Sequence, residues 1–111
     1  MKLITMTLCA SVLLVLAVPV QAAGDPKAGG LKKSMCAGCH GIPGYRTAYP
    51  YVYSVPRLGG QHADYIVAAL KAYKDGDRNN PGMKSIASSL SEQDMEDLAA
   101  YYESSYSGPA N

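Results

Sequence analysis

Cys36, Cys39 and His40 fall within five consecutive positions, in the order Cys-x-x-Cys-His. Thiols three positions apart on one helical turn can reach the two vinyl groups on neighbouring edges of a porphyrin and close two thioethers. The imidazole that follows then lies beneath the iron and offers a ring nitrogen as the proximal ligand. Zinc ribbons and thioredoxin-like redox sites also use Cys-x-x-Cys, so the rest of the chain has to choose among them. A zinc cage would need Cys36, Cys39, His40 and His62 to converge. Adjacent Cys39 and His40 rarely serve one tetrahedral ion, and there is no second Cys-x-x-Cys or His pair. A thioredoxin-type site needs a βαβ setting, which the helical periodicity does not offer. A covalently attached haem c with its iron on His40 is the stronger reading; a structural disulfide between Cys36 and Cys39 is the non-haem alternative.

A haem held by His40 needs a sixth ligand or an open distal site. Met35 precedes the first attachment cysteine on the same turn and cannot curl to the far face, and Met95 sits on an apolar helical stripe where gap-filling is the simpler role. Met83 follows Pro81-Gly82 in a turn-rich stretch 43 residues beyond His40, far enough along the chain to cross to the other side of the ring. It is the expected second axial ligand. His62, the only other imidazole, would give a bis-His site, but it follows Gly59-Gly60-Gln61 at a helix start, where a polar residue is ordinary.

Around these residues the sequence predicts a leader and one small domain. Met1-Lys2 is followed by an apolar run from Leu3 to Val20, then Pro19, Val20, Gln21 and Ala22 provide a small-residue exit. This pattern is that of a cleaved secretory signal peptide over residues 1–22; the competing reading is a retained anchor, for which about 18 apolar residues is near the lower limit. Cys9 leaves with the leader. The remainder, 23–111, carries nine Lys+Arg and nine Asp+Glu, with nine Tyr and no Phe or Trp. Neutral balance argues against a nucleic-acid binder, which needs a basic face. So small a domain gains from a covalent staple such as a large flat porphyrin.

Three main helices and loops are expected. Asp25-Pro26 is an N-cap followed by proline at the first helical position, predicting a helix to about Cys36 that buries Ala28, Leu31 and Met35. Gly29 and Gly30 within it suit a close approach by another helix. The Pro-, Gly- and Tyr-rich stretch 41–60 reads as an ordered loop without strands. A second helix runs from about Gln61 or His62 to Gly76, with Ile66, Ala69, Leu70 and Tyr73 inward. A short helical piece over Lys84 to Ser89 precedes a last helix, opened by a capping box at Ser91-Glu92-Gln93-Asp94 and burying Met95, Leu98, Ala99 and Tyr102. Gly108-Pro109 closes the fold.

Taken in order, these motifs resemble the small class I c-type cytochromes of bacteria, in particular the cytochrome c4 and c553-like branch. The resemblance runs through Cys36-Ala37-Gly38-Cys39-His40-Gly41, Pro56-Arg57-Leu58-Gly59-Gly60-Gln61, Leu70-Lys71-Ala72-Tyr73, Gly76-Asp77-Arg78, Met83, and Asp97-Leu98-Ala99-Ala100-Tyr101-Tyr102. It implies an all-α class I cytochrome c fold around one haem, thioethers from Cys36 and Cys39, and His40 and Met83 on the iron. It further implies that the Pro56 carbonyl takes the other ring nitrogen of His40, that Leu58 packs on the haem, and that the first and last helices cross closely. Arg57 and Arg78 are candidates for propionate contacts, with a plain solvated role as the alternative. Two features depart from the family pattern: Lys32 and Lys33 stand where an aromatic residue is usual, and only one domain is present where cytochrome c4 carries two.

With both axial positions filled, the chain reads as a periplasmic electron carrier and not an enzyme. It would pass one electron between Fe(III) and Fe(II) through an exposed haem edge, as a monomer meeting transient redox partners: a dehydrogenase, a cytochrome complex or a terminal oxidase or reductase. It would meet the membrane only through those partners. The rivals are a bound cytochrome subunit of a periplasmic dehydrogenase complex and a ligand-binding haem sensor or enzyme with Met83 displaced.

Overall fold

The computed structural model describes residues 24–105; the expected leader over 1–22 and the Gly108-Pro109 ending lie outside them. The chain forms α1 (Pro26–Lys32), α2 (Ser34–His40), β1 (Arg46–Thr47), β2 (Tyr53–Ser54), α3 (Ala63–Asp75), α4 (Pro81–Ser88) and α5 (Glu92–Ser104). Helix starts follow local chemistry. Asp25 accepts from the Lys27 amide, Asn80 from the Met83 amide and Ser91 from the Asp94 amide, and the Asp94 side chain returns to the Ser91 amide as a full capping box. Gly76 ends α3 at φ 91°, a left-handed turn that only glycine adopts without steric cost.

The apolar core is built by α3, α4 and α5. Ile66, Leu70, Ala87, Leu90, Met95, Leu98 and Ala99 are buried together, with Cys36, Val67, Tyr73, Met83 and Tyr102 packed against them. Burial of this kind is worth about 25 cal/mol per Å² of apolar surface, so these helices hold the centre of the domain.

Three sequence expectations are corrected. The first helix is divided at Lys33 into α1 and α2, and its apolar stripe faces outward: Leu31 is 84% exposed and Met35 44%. The reason is the crossing with α5. A methyl group on Gly29 would collide with the Asp97 carbonyl oxygen, and one on Gly30 would stand 3.3 Å from the Tyr101 ring. The glycine face therefore lies against α5, and Leu31 is turned away. Second, the 41–60 stretch contains strands: β1 and β2 pair antiparallel, Arg46 opposite Ser54 and Thr47 opposite Tyr53. Two-residue strands are too short to leave an alternating pattern in the sequence. Third, Met83 is not delivered by a loop but lies in the first turn of α4, which begins at Pro81. The N-cap-plus-proline pattern that marked Asp25-Pro26 recurs at Asn80-Pro81 and accounts for this start.

Candidate functional site

The Cys36-to-His40 segment forms the C-terminal part of α2, which places both thiols on one short helix and His40 at its last residue. Gly41 follows as the cap, its amide bonded to the Ala37 carbonyl, and a methyl group there would stand 2.6 Å from that same oxygen. The chain can thus turn sharply away directly after the imidazole. His40 Nδ1 lies 2.6 Å from the Pro56 carbonyl oxygen. A carbonyl only accepts, so Nδ1 carries the proton and donates, and the lone pair of Nε2 is left free for a metal. This contact also fixes the plane of the ring.

Cys36 and Cys39 are both free, half-buried thiols. Cys36 packs against the core, and that burial pushes its thiol up from the ordinary range, with the Tyr102 phenol acting in the opposite sense. Tyr102 itself is pushed up strongly, first by burial and then by the neighbouring Cys36. Its backbone carbonyl accepts from the Gly60 amide, which ties the Pro56-to-Gly60 loop to α5. Tyr102 therefore touches both the attachment helix and the loop that orients His40. Leu58 is half-buried and lines a hollow with His40, Ile42, Pro43 and Tyr102, while Arg57, also at its edge, is exposed.

Met83 is half-buried, packs against the apolar cluster, and has its amide 3.0 Å from Asn80 Oδ1. Met95 is 1% exposed in the core, and Met35 lies on the outer surface of α2. The His62 side chain is 88% exposed, 3.9 Å from Glu103. The Arg78 guanidinium carbon stands 4.5 Å over the Tyr73 ring, and the Arg78 backbone amide donates to the Ala72 carbonyl. Among the described residues no three of His, Cys, Asp or Glu converge as a metal cage.

This donor set fits a c-type haem. Two free thiols share one helical turn, an adjacent imidazole is held in the tautomer that leaves Nε2 available, and a thioether sulfur is carried by a different helix against the same core. Sequence reasoning did not find Asn80, Tyr102 as the neighbour of Cys36, or the buried carboxylate of Asp97. The first had a local signal in Asn80-Pro81; the other two depend on contacts between residues more than 60 positions apart.

The Cytochrome c family model matches residues 30–105. Cytochrome c-554(548) of Halomonas halodenitrificans is 44% identical over 85 residues, covering 74% of this chain and 98% of its own. Cytochrome c4 of Pseudomonas aeruginosa is 39% identical over 83 residues, covering 75% of this chain but 39% of its own length. The chain thus spans the full length of one relative and well under half of the other. The crystal structure of reduced recombinant cytochrome c4 from Pseudomonas stutzeri superposes with a TM-score of 0.55 at 30% identity, over 77% of this chain and 53% of that one.

Proposed function

This chain belongs to the cytochrome c family, and from that premise we propose that it is a periplasmic carrier of single electrons, holding one haem between His40 and Met83. A c4-like electron carrier with a covalently bound c-type haem is what membership of the family establishes. The single haem, the two axial ligands and the compartment are the reading advanced here. One attachment motif is present in the chain. The pattern of a cleaved export signal over residues 1–22 supports the compartment. Among the described residues no helix is long and apolar enough to cross a membrane.

The observation that carries the reading is the 2.6 Å contact between His40 Nδ1 and the Pro56 carbonyl, directly after two free thiols on one turn. Cys36 and Cys39 would hold the haem through thioethers, and His40 and Met83 would hold its iron. When bound, haem supplies a one-electron iron couple. Hydrogen bonding from Nδ1 to Pro56 raises the basicity of Nε2 and keeps the ring from rotating. A thioether ligand raises the potential relative to a second imidazole. Packing of Met83, Leu70 and Ile66 excludes water, and low polarity disfavours the form with the extra positive charge. Tyr102 and the Gly60 amide hold the proximal loop to α5, so the ligand side changes little as the electron comes and goes.

The test is visible spectroscopy of the mature holoprotein. We expect a low-spin c-type spectrum with a weak sulfur-to-ferric-iron band in the far red, lost in Met83→Ala, and a reduced spectrum indifferent to carbon monoxide at neutral pH. A colourless product, or carbon monoxide binding to the wild type, overturns the proposal.

A second reading keeps the same chemistry in a lasting complex. Relatives named thiosulfate dehydrogenase electron acceptor match this chain, one of them over 93% of this chain but 49% of the relative's own length. This favours a dehydrogenase as electron donor. Co-purification with such an enzyme at a fixed ratio would support a stable subunit, and elution as a lone monomer would leave the free carrier.

A further inference from the structure

We propose that Asn80 is the positioning residue for Met83, and that its side-chain oxygen, by closing the first turn of α4, sets how readily the sulfur leaves the iron. The inference rests on the reading of Met83 as an axial ligand. Met83 is the third residue of α4, so its amide is one of the four at a helix start with no acceptor inside the helix. Asn80 Oδ1 supplies that acceptor at 3.0 Å, and the Asn80 carbonyl takes the Lys84 amide at 2.8 Å. Pro81, between them, has its φ preset for a helix start. Both ends of the turn that bears Met83 are therefore held by one residue.

Apart from the packing of Met83 on the apolar cluster, that turn has little else to hold it. At eight residues, α4 is shorter than the roughly 12–15 needed for a helix to persist alone, so it depends on caps and packing. Its buried contribution, Ala87, lies toward the far end. Upstream, the chain is set by left-handed Gly76 and by Arg78 stacked on Tyr73, and both stop short of Asn79. When the Asn80 contact is lost, the backbone at Met83 is free to fray without the core opening.

The measurable consequence is ligand exchange. An added ligand binds ferric iron only when the sulfur is away, so its apparent affinity scales with the fraction of molecules in that state. Loss of an N-cap of this type raises a local opening equilibrium about fivefold to tenfold. Titration of the ferric holoprotein with imidazole is the experiment. Asn80→Ala is expected to bind imidazole about fivefold to tenfold more tightly and to weaken the far-red sulfur band. Asn80→Ser, which keeps a capping oxygen, returns both toward wild type. Ser91→Ala removes the cap of α5 and should lower the unfolding midpoint while leaving imidazole affinity within about twofold.

Unchanged imidazole affinity in Asn80→Ala, or an equal rise in Ser91→Ala, overturns the positioning role. Met83→Ala separates the two readings. If it binds imidazole no better than wild type, the ligation of Met83 fails and the role of Asn80 fails with it. If it binds far more tightly while Asn80→Ala does not, only the role of Asn80 fails.

Discussion

Helix α5 is attached to the rest of the molecule on two sides, by two different kinds of contact. Toward α3 and α4 it presents Met95, Leu98 and Ala99, all buried in the apolar cluster. Toward α1 it presents its own backbone and Asp97, a carboxylate only 4% exposed. No residue of α1 is part of the apolar cluster. Instead Gly24 and Gly29 let the chain run against the carbonyls of Glu96 and Asp97. Asp97 takes the Asp25 amide at 2.8 Å, the Lys32 ammonium at 2.8 Å and the Gln93 amide at 2.9 Å. Lys32 reaches Asp94 as well, also at 2.8 Å. Backbones this close leave little room for apolar side chains beyond the Tyr101 ring against Gly30, so ionised and hydrogen-bonded groups at the edges help to hold the seam. A fully satisfied buried carboxylate is stable there; an unpaired one would not be.

The largest effect should come from the apolar side. Leu98→Ala removes a fully buried side chain from a core that is already small and should cost about 3 kcal/mol, lowering the thermal midpoint of the holoprotein by more than 10 °C. On the α1 side, Gly29→Ala asks a methyl group to share space with a backbone carbonyl, which cannot rotate aside. Overpacking of that kind costs about 1–3 kcal/mol even though alanine is the better helix former. If Gly29→Ala is neutral or stabilising, the close seam does not exist in solution.

How much of this was legible beforehand depends on the range of each interaction. The Cys36-to-His40 signature, the Asp25 and Ser91 caps and the Gly76 stop are each written within five residues, and the caps and the stop fall where the sequence places them. The direction of α1 was not legible. Gly29 and Gly30 do point to a close approach by another helix, as found, but apolar periodicity turns Leu31 and Met35 inward as well, and only the partner helix shows that they face out. The burial of Asp97 was equally hidden, since its partners come from positions 25, 32 and 93 and no local pattern links the first two to it. Lys32, out of place against the family's usual aromatic residue, finds its reason in this contact: the seam is ionic here. Asn80-Pro81 carries the same local signal as Asp25-Pro26, yet inside a turn-rich stretch it reads as loop, and α4 starts three residues before the expected Lys84.

A smaller effect than either core change should come from the ionic clasp. Lys32→Met keeps the stem and removes the charge; Asp97 retains two donors, so the loss of stability at neutral pH should be smaller than that of Gly29→Ala. Its pH dependence is diagnostic. The Lys32 ammonium, together with the Ser91 cap, pulls the Asp94 carboxyl down to about 2, and Lys32, the Asp25 amide and Gln93 hold Asp97 below the ordinary carboxylate range. A depressed folded value means stability that is complete above about pH 4 and is lost as the pH falls toward 2. The gap between wild type and Lys32→Met should therefore narrow over that window in chemical denaturation. A gap that stays constant from pH 6 to pH 2 would show that the ammonium acts through packing alone.

The least effect is expected where the sequence pointed to a core position. Leu31 lies on α1 one residue before Lys32, yet its side chain is turned away from α5. If α1 were held by apolar burial like the other face of α5, Leu31→Ser would remove a buried leucine and cost several kcal/mol. In a seam made by glycine and the Asp97 clasp, the same substitution replaces a solvated side chain and loses only a little helix propensity, less than about 0.5 kcal/mol. Thermal unfolding of the holoprotein distinguishes the two outcomes directly. Leu31→Ser and Leu98→Ala both truncate a leucine on one of two helices that cross each other. A large difference between their midpoints is what the two-sided attachment of α5 requires, and similar losses would mean that α1 docks through its leucine after all.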